Sequence, residues 1–133
     1  MRAFVDTSAL YALLDESDAN HAAAAEAFSG LRGSELSTHS YVLVETLALV
    51  SRRLGRAAVE RFLDGLLPVI TVAVVDPSLH AEALADYREA NSIHVSFVDR
   101  TSVAFMRTSR LDVAFAFDAH FSQAGFDLVP SRP

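Results

Sequence analysis

Short strand-like segments that alternate with helical segments are the feature that most restricts how this chain can fold. The predicted strands are residues 3–5, 35–37, 69–75, 113–117 and 126–129. Most of them are apolar on both faces, and residues 69–75 are β-branched almost throughout. Strands of this kind occur in parallel sheets that helices cover on both sides, so the sequence predicts an α/β sandwich with a mainly parallel sheet.

Helices are predicted between these strands, and several have capping residues at their start. The predicted ranges are 9–14, 21–31, a long helix to about residue 54, 57–67, 76–90 and 99–110. Thr7 and Ser8 are expected to cap the first helix, and Ser37 and Thr38 the long one. In a parallel α/β fold, ligands bind beyond the carboxyl ends of the strands, where Asp6 and Asp118 are expected.

The charge balance narrows the possible chemistry. Eleven basic residues, all arginine, face seventeen acids for a formal net charge of −6, and the chain has neither lysine nor cysteine. Schiff-base chemistry, a P-loop lysine, thiol catalysis, disulfides and Cys-ligated zinc are thereby excluded. The negative balance also argues against a general nucleic-acid-binding surface, so any nucleic acid would have to be bound locally through metal ions or clustered arginines.

No targeting or membrane segment is expected. The N-terminus reaches Asp6 too early for the apolar stretch of a signal peptide. The apolar run 41–50 contains Glu45 and is too short to cross a bilayer. We therefore expect a cytoplasmic protein.

Four acidic residues stand in apolar surroundings: Asp6, Glu45, Asp99 and Asp118. A buried carboxylate without a partner tends to take up a proton, and neighbouring carboxylates strengthen that tendency. A divalent cation removes the difficulty, and oxygen ligands without cysteine or an obvious histidine cluster favour Mg²⁺ or Mn²⁺ over zinc. The four acids are therefore candidate metal ligands.

Each acid also has a purely structural explanation. Asp6 and Asp99 could cap helices, Asp118 could end a strand in a turn, and Glu45 could pair with a buried partner inside its helix. One shared site accounts for all four residues together, whereas the structural explanations are four separate coincidences.

The order of these acids resembles that of the PIN-domain nucleases, and more narrowly the small stand-alone toxins of the VapC type. The resemblance rests on FVDTSAL at the start, VLVET around Glu45, FVDRTSVAFM around Asp99 and AFAFDAHF around Asp118. It covers essentially all 133 residues and implies one PIN-like α/β/α domain over residues 1–133.

The resemblance implies a Mg²⁺- or Mn²⁺-dependent endoribonuclease that hydrolyses RNA phosphodiester bonds. The family's catalytic and metal-binding acids fall on Asp6, Glu45, Asp99 and Asp118. Ser8 matches a small hydroxyl that orders a ligand or a water, with a helix cap as the alternative. The resemblance further implies a toxin that pairs with a VapB-like antitoxin and forms a homodimer. The alternative function is a PIN-fold module that binds metal or RNA without cleaving it.

Arginines near the acids are candidates for RNA or antitoxin contact. Arg52, Arg53 and Arg56 follow the Glu45 segment, and Arg100 comes directly after Asp99. Bidentate arginine suits phosphate, but solvated helix faces with intrachain ion pairs explain the same residues. His120, two residues after Asp118, is expected to be a structural or surface histidine, with a supporting role behind the acids as the alternative.

Overall fold

The computed structural model describes residues 1–90 and 93–131, and its centre is a five-stranded parallel sheet. The strands are β1 (Arg2–Val5), β2 (Glu35–His39), β3 (Thr71–Ala73), β4 (Val113–Phe115) and β5 (Asp127–Val129). They lie in the order β3-β2-β1-β4-β5, and every neighbouring pair is parallel. The predicted α/β class with a parallel sheet is confirmed.

Seven α-helices within the described ranges connect the strands. They are α1 (Thr7–Leu14), α2 (His21–Gly30), α3 (Ser40–Arg53), α4 (Arg56–Arg61), α5 (Pro77–Glu89), α6 (Phe97–Thr108) and α7 (His120–Gln123). The helix predicted over 57–67 is α4 followed by a π-helical turn, Phe62–Leu66, and a 3₁₀ turn, Leu67–Val69. Among the residues described, no helix has both the length and the apolar character needed to cross a membrane.

The middle strand fixes the helices that carry the site. Phe4 of β1 is fully buried and lies opposite Ser37 of β2 and Ala114 of β4. Its ring centroid is 5.7 Å from that of Phe121 and 6.0 Å from that of Phe105. Aromatic packing of this kind stabilises both contacts, so α6 and α7 are held against the strand that ends at Asp6.

The cap of α3 differs from the prediction. Ser37 and Thr38 lie in β2, and His39 is the capping residue: its Nδ1 accepts hydrogen bonds from the backbone N–H groups of Tyr41 and Val42, at 3.2 and 3.4 Å. Burial lowers the pKa of His39 to about 4, so the imidazole is neutral and Nδ1 is free to accept. The prediction was wrong because β2 continues two residues further than the sequence pattern indicates.

Strand β3 is shorter than the predicted strand 69–75. The chain enters it from the 3₁₀ turn, and only Thr71–Ala73 pair, in register with Ser37–His39 of β2. β3 is the edge strand of the sheet, and Val74 just beyond it is 83% exposed. A β-branched sequence alone cannot show where an edge strand stops pairing.

The strand order places a crevice beside β1. From β1 the chain builds β2 and β3 on one side, and it then returns to add β4 and β5 on the other side. Such a reversal separates the connections that leave the carboxyl ends of β1 and β4, and ligands bind in the gap. Asp6 follows β1 directly, and the segment containing Asp118 follows β4.

Candidate active site

Asp6 is a buried carboxylate at the carboxyl end of β1. It caps α1, a position predicted for Thr7 or Ser8, and it is only 4% exposed. Its Oδ2 accepts hydrogen bonds from the Ser8 backbone N–H at 3.1 Å and from the Ser8 hydroxyl at 2.6 Å. Burial raises the pKa of Asp6 to about 6, although the hydrogen bonds from Ser8 lower it. The protein thus stabilises the negative charge of Asp6 only in part.

Ser8 connects the two central strand ends. While its hydroxyl donates to Asp6, the same oxygen accepts a hydrogen bond from the Phe117 backbone N–H at 3.0 Å. The Phe117 N–H thus bonds to a side chain, and β4 ends at Phe115 and not at the predicted residue 117. The Ser8 side chain lies beside Asp6, and its backbone N–H takes part in the cap.

Replacing Ser8 by alanine is expected to lower stability by about 1–3 kcal/mol, because it leaves the Phe117 N–H without its acceptor and Asp6 without its closest donor. It should also raise the pKa of Asp6 further, because the lost hydroxyl donor stabilises the charged form of that carboxylate. Denaturant unfolding at pH 7.5 measures the first effect. A Ser8→Thr variant, which keeps the hydroxyl, is the control. Equal stability of the alanine variant and the wild type would contradict this role of Ser8.

Asp99 has one oxygen in a helix cap and the other in the site. Helix α6 begins at Phe97 and not at Asp99, because Ser96 is its N-cap. Ser96 Oγ accepts from the Asp99 backbone N–H at 3.1 Å, and Asp99 Oδ2 accepts from the Ser96 backbone N–H at 3.0 Å, which is a capping box. Asp99 Oδ1 lies 3.7 Å from His120 Nε2. The capping explanation of Asp99 is therefore correct but incomplete.

Glu45 lies in α3, half-buried and close to Asp99. Burial raises its pKa, a hydrogen bond with Thr7 lowers it, and repulsion from Asp99 raises it further. The same repulsion from Asp99 raises the pKa of Asp6. Asp99 is thus within electrostatic reach of both Asp6 and Glu45, although the three residues come from three separate segments.

Asp118 joins this group through His120. His120 Nδ1 lies 2.9 Å from Asp118 Oδ1, and one potential ligand atom each from Asp99, Asp118 and His120 lie within 4.8 Å of one another. The Asp118 side chain is 48% exposed, whereas His120 is 8% exposed and is not a surface histidine. Sequence reasoning undervalued His120, whose only signal is its position two residues after a candidate acid.

The arrangement can hold a metal ion. Among the residues that the structure describes, no arginine pairs with Asp6, Glu45 or Asp99, and His120 is the basic side chain near Asp99. Carboxylates that repel one another in a partly buried site are stabilised when a cation binds between them. Carboxylate oxygens with one imidazole suit a divalent cation.

The candidate arginines lie in different environments. Arg56 pairs with Glu60 at 2.9 Å on the exposed surface of α4, which agrees with the intrachain explanation. Arg52 and Arg53 are exposed, with the Arg53 guanidinium carbon 5.7 Å from the centre of the Tyr11 ring. Arg100 lines a groove together with His120. A role in RNA or antitoxin contact stays a prediction for all four.

Comparison with known protein families matches residues 3–127 to the PIN domain. The chain belongs to the PIN-domain family. The matched region includes Asp6, Glu45, Asp99 and Asp118, so the resemblance inferred from the sequence is confirmed. In this PIN domain Asp6 and Asp118 follow strand ends, and Asp99 lies at a helix start. Glu45 lies in the middle of α3.

One relative from Mycobacterium tuberculosis, compared by sequence and by structure, extends this result. The protein is 39% identical over 131 residues to VapC20, a "23S rRNA-specific endonuclease", covering 98% of both chains. A crystal structure of VapC20, described as a sarcin–ricin loop cleaving toxin, matches with a TM-score of 0.85 and 35% identity over 93% of this chain and 95% of that one. These comparisons support the predicted RNA-cleaving toxin of a VapBC pair.

A more distant structure shares the fold of this PIN domain. VapBC2 from Rickettsia felis, bound to a DNA fragment from its promoter, matches with a TM-score of 0.72 and 13% identity over 96% of this chain and 97% of that chain. At this level of identity the likeness concerns the fold alone.

Proposed function

We propose that this PIN-domain protein is the toxin of a VapBC-type pair and an endoribonuclease that requires Mg²⁺ or Mn²⁺. The observation that carries the proposal is Asp6, a buried carboxylate with a raised pKa that shares its site with Glu45 and Asp99. Ribosomal RNA is the proposed substrate class, which the name of VapC20 supports.

In this proposal Asp6, Asp99, Asp118 and Glu45 bind the metal and perform the catalysis. When bound, one or two divalent ions would lower the pKa of the attacking water and neutralise charge that develops on the phosphate. Ser8 holds Oδ2 of Asp6 in place through its hydroxyl. His120 lies between Asp99 and Asp118, with Nε2 3.7 Å from Asp99 Oδ1 and Nδ1 2.9 Å from Asp118 Oδ1.

The proton of the attacking water needs an acceptor. Glu45 is suited to this role because burial and repulsion from Asp99 raise its pKa and make its carboxylate a stronger base. The water oxygen then bonds to phosphorus, the bond from phosphorus to the 3′ oxygen breaks, and a proton passes to that leaving oxygen. No covalent intermediate with the protein is required, which agrees with the absence of cysteine and lysine.

The proposal includes a VapB-like antitoxin and a homodimer. The VapBC complex with the same fold supports the antitoxin. A shallow groove of about 600 Å³, lined by Leu13, Leu14 and Leu66, offers apolar surface to such a partner. A ribosomal RNA substrate would also agree with the cytoplasmic location expected from the sequence.

Cleavage of total cellular RNA tests the proposal. Protein freed of any antitoxin is incubated with Mg²⁺, with Mn²⁺ and with EDTA, and discrete fragments are expected only when a metal is present. Primer extension on the ribosomal RNAs then locates the cut. Cleavage that continues in EDTA would contradict the metal requirement. Folded protein that binds RNA but never cleaves it would favour the alternative, an inactive binding module.

A further inference from the structure

A groove between α5 and α6 opens beside the acidic site. Its volume is about 620 Å³, within the range of cavities that hold small ligands or single nucleotides. The polar residues of its lining are Asp86 and Glu89 from α5, Arg100 and Arg107 from α6, Gln123 from α7, and His120.

Arg100 in this groove has a hydrogen-bond donor that the described residues do not pair. Its Nε is buried and has no hydrogen-bond partner in the described part of the chain. No carboxylate in that part lies within ion-pair distance of its guanidinium either. A buried, charged donor without an acceptor destabilises the fold, and natural proteins retain such groups mainly at functional sites.

His120 makes the groove continuous with the acidic site. Both of its ring nitrogens are buried and, within the described ranges, lack a partner with hydrogen-bond geometry. The same ring faces Asp99 and Asp118 on one side and the groove on the other. A ligand that extends from the acids into the groove therefore passes His120 and reaches Arg100.

The charges of the two walls favour a nucleotide over an acidic peptide. Arg100 and Arg107 give the α6 wall two positive charges, whereas Asp86 and Glu89 give the α5 wall two negative ones. A phosphate accepts hydrogen bonds from guanidinium groups, and the amino and imino groups of bases donate to carboxylates. An acidic peptide would be attracted by one wall and repelled by the other.

We propose that Arg100 binds the phosphate next to the scissile one, with Arg107 assisting at the exposed end of the groove and the attached base facing Asp86 and Glu89. This inference rests on the proposed ribonuclease function and adds the path of the RNA strand to it. The planar fork of arginine suits a phosphate in a narrow site, and a lysine would contact it only as a point charge.

The test measures RNA affinity without cleavage. A hairpin fragment of 23S ribosomal RNA is bound in EDTA to the wild type, to Arg100→Gln and to Arg100→Lys, from about 50 to 200 mM salt. For Arg100→Gln we expect affinity to fall about tenfold and the salt slope to decrease by about one. Arg100→Lys should recover the slope but only part of the affinity. Arg32 is exposed just before β2, at the end of the strands opposite to the acidic site. Arg32→Gln removes the same charge and should change neither the affinity nor the salt slope.

A second measurement does not depend on a variant that folds. In nitrogen-15 spectra of the wild-type protein in EDTA, the Arg100 Nε–Hε signal is expected to shift when the hairpin is added, because a phosphate then contacts the guanidinium to which Nε belongs. The signal is assigned by its loss in Arg100→Lys.

The outcomes separate this inference from the function itself. Wild-type protein that cleaves RNA, with unchanged affinity in Arg100→Gln and an unmoved Nε signal, overturns the inference and leaves the nuclease intact. Weaker binding of the antitoxin by Arg100→Gln, with RNA binding unchanged, also overturns it and assigns the groove to the antitoxin. A wild type that does not cleave RNA under any metal condition refutes the proposed function first.

Discussion

Replacing Asp99 by asparagine is expected to lower the rate of RNA cleavage by at least about 100-fold. Oδ1 of Asp99 faces His120 in the site, and its charge raises the pKa values of both Asp6 and Glu45. Mutating a residue that hydrogen-bonds to a metal ligand already lowers metal affinity or activity about 10–100-fold in many sites. Removing the charge of a ligand itself should therefore lower activity by more than about 100-fold. Initial rates with saturating Mn²⁺ and a ribosomal RNA substrate measure the effect.

Asp99 also caps α6, so a second variant is needed to separate chemistry from folding. Glu45→Gln leaves the capping box untouched and keeps the shape of the side chain, and it should lose cleavage to a similar extent. Asp112 is exposed just before β4, at the end of the strands opposite to the acidic site. Asp112→Asn makes the same chemical change as Asp99→Asn there and should keep full activity. Wild-type rates in both Asp99→Asn and Glu45→Gln would show that the acidic group is not the catalytic centre.

The parallel fold, which is confirmed, and the site of four acids, which stays a prediction, follow from the same physical reasoning about the sequence. In a parallel α/β sheet, the carboxyl ends of strands and the amino ends of the following helices lie at one edge, so residues that cap helices can converge there. Asp6 caps α1 and Asp99 takes part in the cap of α6, and both reach the site. Capping and metal binding, which look like competing explanations in the sequence, are compatible in the folded chain.

The features that could not be predicted depend on contacts between distant segments. His120 takes part in the site because the short helix α7 packs through Phe121 on Phe4, a contact 117 residues apart in sequence that no local pattern indicates. The Phe117 N–H, within the segment predicted as β4, bonds to the hydroxyl of Ser8, 109 residues away in sequence. Arg100 Nε, which lacks a hydrogen-bond partner in the described part of the chain, could be found only once burial and hydrogen bonding were known, because its sequence context is that of an ordinary helix.

Replacing Asp6 by asparagine is expected to stabilise the metal-free protein by up to about 3 kcal/mol at pH 7.5, while activity is lost. The folded-state pKa of Asp6 is about 6, against the ordinary value of 3.8. Above both values the wild type carries an ionised, buried carboxylate that costs stability, at about 1.4 kcal/mol for each pH unit of the difference. Asparagine removes that charge and still caps α1, because its side-chain oxygen can accept the bond from the Ser8 N–H.

The stabilisation that Asp6→Asn provides should increase with pH. Because the pKa of Asp6 is raised on folding, the wild type is not penalised below pH 3.8, and its disadvantage grows as the pH rises from there through about 6. The stability difference between Asp6→Asn and wild type, from denaturant unfolding in EDTA, should therefore be near zero at about pH 3 and reach its full value by pH 7.5. Asp112→Asn should show no such trend. A variant less stable than wild type at pH 7.5 would contradict the argument.

Metal binding should reverse this order of stabilities. A cation that binds only the folded wild type stabilises it. The stabilisation grows with the logarithm of the metal concentration divided by the dissociation constant. Asp6→Asn lacks the charge that attracts the cation. Titration with Mg²⁺ or Mn²⁺ at pH 7.5 should thus raise the melting temperature of the wild type and leave that of the variant nearly unchanged. The instability of Asp6 without metal and its stabilisation with metal have one cause, a buried charge that the protein compensates only in part. An equal rise in both proteins would place the cation away from Asp6.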